Sequence, residues 1–191
     1  MESKLVWLFS FVGIYWAYCL YWGIRGFIKA KTSADYFIAG RSIGIWVFVL
    51  AATATSFSGW TFVGHPGKVF TDGLPYAFAS FYALTIPFTG VLFLRRQWVL
   101  GQSFKYVTPG EMYSDTFGGD AMRILTVLVA FLFSVPYLGL QLRASGYLFN
   151  ILTDGMFSVE IGMFALSAIV VIYVASGGLR SVAYVDCVQC I

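Results

Sequence analysis

Thr53-Ala54-Thr55-Ser56-Phe57-Ser58-Gly59-Trp60-Thr61 lies in the middle of a charge-free run from Ser42 to Gly67. That run is long enough to cross a bilayer with tilt or with a break. Its first half, Ile43 to Ala52, reads as ordinary apolar helix. Then five hydroxyl side chains and a glycine arrive at mid-membrane depth, and Gly64, Pro66 and Gly67 follow. An unpaired carbonyl is costly in lipid, so unwound backbone persists only where it is buried in protein or lines a cavity. A small, hydroxyl-rich, glycine-interrupted span is therefore the sequence form of a discontinuous helix, and a break is expected between about Ala54 and Gly59. Carbonyls freed at such a break can coordinate Na⁺, and the N-terminus of the resumed helix can face a carboxylate. The same small residues also permit close helix packing, and at this point both readings stand.

The rest of the chain supports a membrane setting. Of 191 residues, 59% are hydrophobic and only 11% charged, with mean hydropathy +0.79. A soluble domain carries about 25% charge. This composition excludes a soluble enzyme, a disordered tail and a nucleic-acid binder, and a net charge of +3 is too mild for a polybasic partner surface. The fold class is all-α integral membrane protein. Gaps between charges place spans at about 5–24, 42–67, 73–94, 124–152 and 161–179, with the start of a sixth from 181. The first is too long for a signal-peptide core and has no small-residue cleavage site after it. With the spans alternating, Arg25, Lys29, Lys31, Arg41, Arg95, Arg96, Lys105, Arg123 and Arg180 fall on one side, against Lys4 and Lys68 on the other. That bias puts the N-terminus outside and the long loops in the cytoplasm.

Few residues suggest bond chemistry. Cys187 and Cys190 form a lone Cys-x-x-Cys with no second ligand pair, so helix-packing thiols are expected rather than a metal site. His65 precedes Pro66 and reads as a neutral, hydrogen-bonded ring. Tyr137 and Gln141 share a helix face four residues apart, after Pro136, and polar groups at that depth have inward partners. Both are candidates for a solute-pocket wall, Tyr137 the better one. Arg143, on the same helix, snorkels outward or lines a cavity. Asp186 lies in an otherwise apolar stretch six residues after Arg180. A carboxylate within a span marks a functional site by default, and the competing reading is a surface ion pair with Arg180.

Four separated blocks carry a family resemblance. Ser33-Ala34-Asp35-Tyr36-Phe37-Ile38-Ala39-Gly40-Arg41-Ser42-Ile43-Gly44 resembles a loop of the sodium/solute symporters, the group of proline, pantothenate, sialic acid and sugar symporters. Ser58-Gly59-Trp60 with Gly64-His65-Pro66-Gly67 is similar to the first core helix of the proline and pantothenate permeases. Thr108-Pro109-Gly110-Glu111-Met112-Tyr113 resembles the family's cytoplasmic T-P-E-Y segment. Gly177-Gly178-Leu179-Arg180-Ser181-Val182, with Asp186 and Gln189 after it, resembles its GG-x-x-AV-x-x-TD-x-x-Q signature. The likeness runs over essentially the whole chain.

The resemblance implies a LeuT-type fold, in which two inverted repeats of five helices surround a midplane site. The first span would be an extra N-terminal helix, the second core helix 1, and the chain would stop early in core helix 5. The resemblance assigns the central Na⁺ to the backbone carbonyls of Ala54 and Phe57, and Asp186 to the ion's exit route or a second Na⁺ site. Val185 stands where the family usually has a threonine, so one hydroxyl ligand is missing. Ser56, Ser58, Thr61 and Ser80 align with solute-facing positions. Proline-type members have a carboxylate where Ser56 stands, which argues against proline itself. The implied function is Na⁺-coupled symport of a small organic solute by alternating access, in the inner membrane of a bacterium. Na⁺ is the coupling ion, no cofactor is implied, and lipid and solute are the partners. Two other functions stay open: a transport-inactive subunit packed in a larger membrane complex, and a symporter-like sensory module of a histidine kinase.

Overall fold

The computed structural model describes residues 2–191, and for residues 2, 82–84 and 86 the backbone alone. Among the described residues there is no strand. The main helices are α1 (Glu2–Lys29), α2 (Ser33–Ile38), α3 (Ile45–Ser56), α4 (His65–Asp72), α5 (Thr85–Thr89), α6 (Arg95–Phe104), α7 (Pro109–Phe117), α8 (Asp120–Leu152) and α9 (Val159–Cys190). Three of them, α1, α8 and α9, are each long and apolar enough to cross a membrane. A fourth span is possible if α2 with its following turn and α3, bent by 108°, act together. Along α8, Phe131, Leu132 and Phe133 are 68%, 68% and 71% exposed. Three successive side chains point in three directions, so this stretch of α8 is apolar all round. Pro136 lies within α8 without ending it.

The chain divides into two units, one of Met1–Trp60 with Gly139–Ile191 and one of Thr61–Leu138. The first unit is built on α9. Gly178 has φ +59° and ψ −156°, far from helical values, so α9 is two helical limbs joined at that residue. Both limbs converge on the C-terminal half of α1. A Cβ on Gly23 would lie 3.1 Å from Tyr173 Cα, and one on Gly26 would lie 2.6 Å from Gly177 Cα. Beyond the break, Ser181 Oγ donates to the Trp22 carbonyl (2.7 Å) and the Tyr18 hydroxyl to the Tyr184 carbonyl (2.8 Å). The Trp22 and Tyr184 rings stack at 4.0 Å, and Gln189 donates to the Tyr15 hydroxyl. Cys19, Ile169, Tyr173 and Val185 form one buried cluster. In an unbroken helix Ile169 and Val185 would stand about 24 Å apart, at ~1.5 Å per residue. The turn at Gly178 brings them together.

Two further devices fix this unit. Thr32 caps α2: its Oγ1 accepts from Asp35 N (3.1 Å), and Asp35 Oδ2 accepts from Thr32 N (3.0 Å). That reciprocal pair satisfies donors the helix start leaves open. At the opposite end Lys4 pairs with Asp154 at 2.6 Å, and Phe9 packs on Phe149 and Phe157. The α1 start and the α8–α9 turn therefore share one membrane face.

The second unit follows on from α4. After Gly73 (φ +83°) the backbone winds tightly from Leu74 to Leu84, then continues through α5 and a wide turn, Gly90–Leu94, into α6. Lys105, in the left-handed region, ends α6. Thr108 and Glu111 form a capping box on α7, with Pro109 in its first turn. The Tyr106 hydroxyl donates to Asp115.

Candidate functional site

The interruption expected between Ala54 and Gly59 is present: α3 stops at Ser56, and Phe57 adopts φ −90°, ψ +97°. Local chemistry explains the stop. Thr53, Thr55 and Ser56 hydroxyls donate back to the carbonyls of Val49 (2.8 Å), Ala51 (2.8 Å) and Ala52 (2.9 Å). Such back-bonding competes with the helix ladder and loosens it. Phe57 N donates to the Ala54 carbonyl (3.0 Å), a tightened last turn. Ala54 and Phe57 therefore bracket the carbonyl end of α3, where the helix carries partial negative charge.

Asp186 comes to this end from the second limb of α9. The residue is 8% exposed, and Thr55 Oγ1 lies 3.4 Å from its Oδ2. Thr55 has one hydroxyl proton, and its nearer acceptor is the Ala51 carbonyl at 2.8 Å. The buried carboxylate is thus weakly served by its neighbour. The ion pair with Arg180 is not formed. Arg180 Nη2 instead donates to the Ala39 carbonyl (3.0 Å) and to Ser42 Oγ (2.7 Å). Helix geometry accounts for this, since six residues turn Arg180 about 120° away from Asp186. Lys4 pairs with Asp154 and Lys68 with Asp72, and neither pair involves Asp186. A buried carboxylate without a cationic side chain, beside a helix carbonyl end, is a set of hard oxygen donors that favours a hard cation.

The far side of the break is held by α8. Gly59 N donates to Gln141 Oε1 at 2.6 Å. That bond satisfies a backbone donor at the start of the resumed helix and fixes which amide atom faces Gly59. The approach is close: a Cβ on Gly59 would lie 2.6 Å from Ala144 Cβ. Gln141 thus meets the interrupted helix through the backbone, one residue from Ser58.

The other candidate residues are placed as follows. Ser56 and the side chain of Phe57 are exposed beside the break, and Ser58 is half-buried. Thr61, Ser80 and Tyr137 belong to the second unit. There Ser80 Oγ lies 2.9 Å from His65 Nε2, so the histidine is hydrogen-bonded. Tyr137 is 52% exposed on α8. Arg143 bonds the Tyr147 hydroxyl (3.2 Å) and lies over its ring. The three cysteines are free thiols, with Cys19 buried. Thr55 is the residue that sequence reasoning passed over. It was one of five similar hydroxyls, and only its long-range partner distinguishes it.

Comparison with known proteins places this geometry in a family. The family model for the sodium:solute symporter family matches residues 36–191. The osmoregulated proline transporter OpuE of Bacillus subtilis (strain 168) is 27% identical over 184 residues, 93% of this chain and 37% of that protein. The sodium/proline symporter of Escherichia coli (strain K12) is 31% identical over 176 residues, 86% of this chain and 34% of that protein. The high-affinity choline transporter 1 of Drosophila melanogaster is 32% identical over 156 residues, 81% of this chain and 24% of that protein. The chain spans about a quarter to a third of the length of the curated relatives it matches. No solved structure matches it. The matched region takes in the interrupted helix, Gln141, the turn at Gly178 and Asp186 alike, and on that extent the chain belongs to the sodium:solute symporter family.

Proposed function

We propose that the protein carries out Na⁺-coupled symport of a small organic solute by alternating access, with this chain supplying its N-terminal helices in a LeuT-type arrangement. The observation that carries the reading is the buried Asp186 set against the interrupted end of α3 through Thr55. Na⁺ binds the carbonyls of Ala54 and Phe57, and Asp186 receives it on its way inward. The ion stabilises the broken helix in the state that accepts solute from outside. No bond is made or broken. The driving force is the ion gradient, with ~2.3 kcal/mol per charge for each 100 mV.

Ser56, Ser58 and Gln141 are assigned to the solute because they flank the break. Thr61 and Ser80 are assigned by family likeness, and Tyr137 by its place on α8. The relatives named above are a proline transporter and a choline transporter, which supports a small organic molecule as the solute. Ser56, where proline-type members carry a carboxylate, argues for a solute other than proline. The setting is the bacterial inner membrane with the N-terminus outside, supported by the nine-to-two distribution of basic residues.

The test is uptake by the full-length protein in liposomes under an inward Na⁺ gradient. The screen covers amino acids, quaternary amines, carboxylates and sugars. The expected result is accumulation of one class above empty vesicles, abolished when Na⁺ is replaced by K⁺. Uptake indifferent to the gradient, or none for any class, contradicts the proposal.

A further inference from the structure

We propose that Tyr36 and Arg180 are positioning residues for ion coupling: together they clamp the turn at Gly178 and so aim the Asp186 limb of α9 at α3. The inference rests on the Na⁺ role proposed for Asp186.

The clamp has one contact on each side of the turn. Before it, the Tyr36 hydroxyl lies 3.2 Å from the carbonyls of both Val174 and Ala175. In an unbroken helix those carbonyls would accept from the N–H groups of Gly178 and Leu179. The non-helical torsions of Gly178 redirect the chain there, and the phenol supplies a donor from outside the helix. After the turn, Arg180 donates to the Ala39 carbonyl and to Ser42 Oγ, as described above. Ala39 is itself in the left-handed region (φ +51°), the residue that ends α2, and its carbonyl also accepts from Ser42 Oγ (2.7 Å). The two contacts leave little slack, because a Cβ on Gly178 would fall 2.4 Å from the Tyr36 carbonyl oxygen.

The segment that makes the clamp is rigid at both ends. Thr32 and Asp35 cap its start, and α3 begins three residues after Ser42. Arg180 and Asp186 project from one limb about 120° apart. Arg180 fixes that limb to the segment leading into α3, and Asp186 meets the last turn of α3. The two contacts set the limb's position at its base and two turns above. Releasing the base lets the limb pivot about Gly178 and moves the carboxylate relative to Thr55. Cys187, next to Asp186, lies with its Sγ 3.8 Å from the Val47 carbonyl, so its thiol reports whether the limb stays against α3.

The experiment uses the full-length protein with Cys187 as its sole cysteine. Arg180→Gln, Arg180→Lys and Tyr36→Phe are compared with the parent for Na⁺-dependent uptake and for Cys187 modification by a small maleimide. Arg180→Gln is expected to raise the Na⁺ half-saturation at least fivefold. The solute KM at saturating Na⁺ should stay within twofold, and Cys187 should react at least threefold faster. Arg180→Lys, which keeps a donor and the charge, should return both readouts to within twofold of the parent. Tyr36→Phe, which keeps the ring, should shift both in the same direction by a smaller factor and covers the case where Arg180→Gln fails to insert. Unchanged Na⁺ half-saturation and Cys187 reactivity in the inserted variants overturn the clamp. A solute KM that rises in step with the Na⁺ half-saturation also overturns it. Asp186→Asn is run alongside. If it too leaves Na⁺ dependence unchanged, the ion role fails; if it alone changes it, the clamp fails and the ion role stands.

Discussion

Replacing Gly178 by alanine tests the turn on which the first unit depends. At φ +59° and ψ −156° the backbone occupies a region that only glycine visits readily. Holding an L-residue there costs about 1–3 kcal/mol. The added methyl would also lie 2.4 Å from the Tyr36 carbonyl oxygen, a backbone atom that cannot rotate away. Overpacking of that kind adds roughly 1–3 kcal/mol. The sum, about 2–6 kcal/mol, is a drop of roughly 30-fold or more in the folded-to-unfolded ratio, at about 1.4 kcal/mol per decade. Gly13→Ala and Gly139→Ala are the controls, since a Cβ at either meets nothing within 4 Å. Both lie in helices, where alanine is the better former by about 1 kcal/mol. The assay is the fraction of full-length protein still monodisperse in mild detergent after a temperature series. Gly178→Ala should lose the folded form well below the parent, and the controls should match or exceed it. Gly178→Ala surviving as well as Gly13→Ala would refute the turn.

Other outcomes follow from single contacts. Gln141→Leu removes the acceptor of the Gly59 N–H and should cost about 1–3 kcal/mol in the same heat series, whereas Gln141→Glu keeps an acceptor and should lose less; equal survival of Leu and Glu variants contradicts the bond. The Lys4–Asp154 pair is about half exposed on both sides, so a double-mutant cycle should give a coupling of no more than about 1 kcal/mol; a coupling of about 2 kcal/mol or more would contradict that. Hydrogen bonding to Asp115 raises the Tyr106 phenol above its ordinary value, so the protonated, donating form holds at neutral pH and the contact is lost only as pH rises through the raised value. In a difference absorbance titration, the transition missing from Tyr106→Phe should lie on the alkaline side of a free phenol, near about 10; a midpoint at or below that would contradict the contact.

The membrane class and the break in α3 were legible because both are local. Composition reports the solvent, and a cluster of hydroxyls with Gly59 reports a weak helix ladder within a few residues. Pairings across the fold were not legible. Thr55 meets Asp186 across 131 positions and Gly59 meets Gln141 across 82. Hydrophobic pattern specifies which face is apolar, not which neighbour a polar group will find. Thr55 and Ser56 look alike in sequence, yet only Thr55 reaches the carboxylate. Arg180 is the opposite case: nearness in sequence offered Asp186 as a competing partner, while helix rotation delivers it to Ala39 and Ser42.

Direct Na⁺ binding to the purified full-length protein bears on the central claim without requiring the solute to be known. Radiolabelled Na⁺ is titrated against the parent, Asp186→Asn, Thr55→Val and the exposed-site control Asp154→Asn. If the buried carboxylate at the interrupted helix serves the ion, Asp186→Asn should weaken Na⁺ binding at least tenfold, since the amide keeps the size and one acceptor but not the charge. Thr55→Val should weaken it by a smaller factor, and Asp154→Asn should leave it unchanged. Na⁺ affinity within twofold of the parent in Asp186→Asn would mean that the carboxylate serves packing alone and would contradict the account.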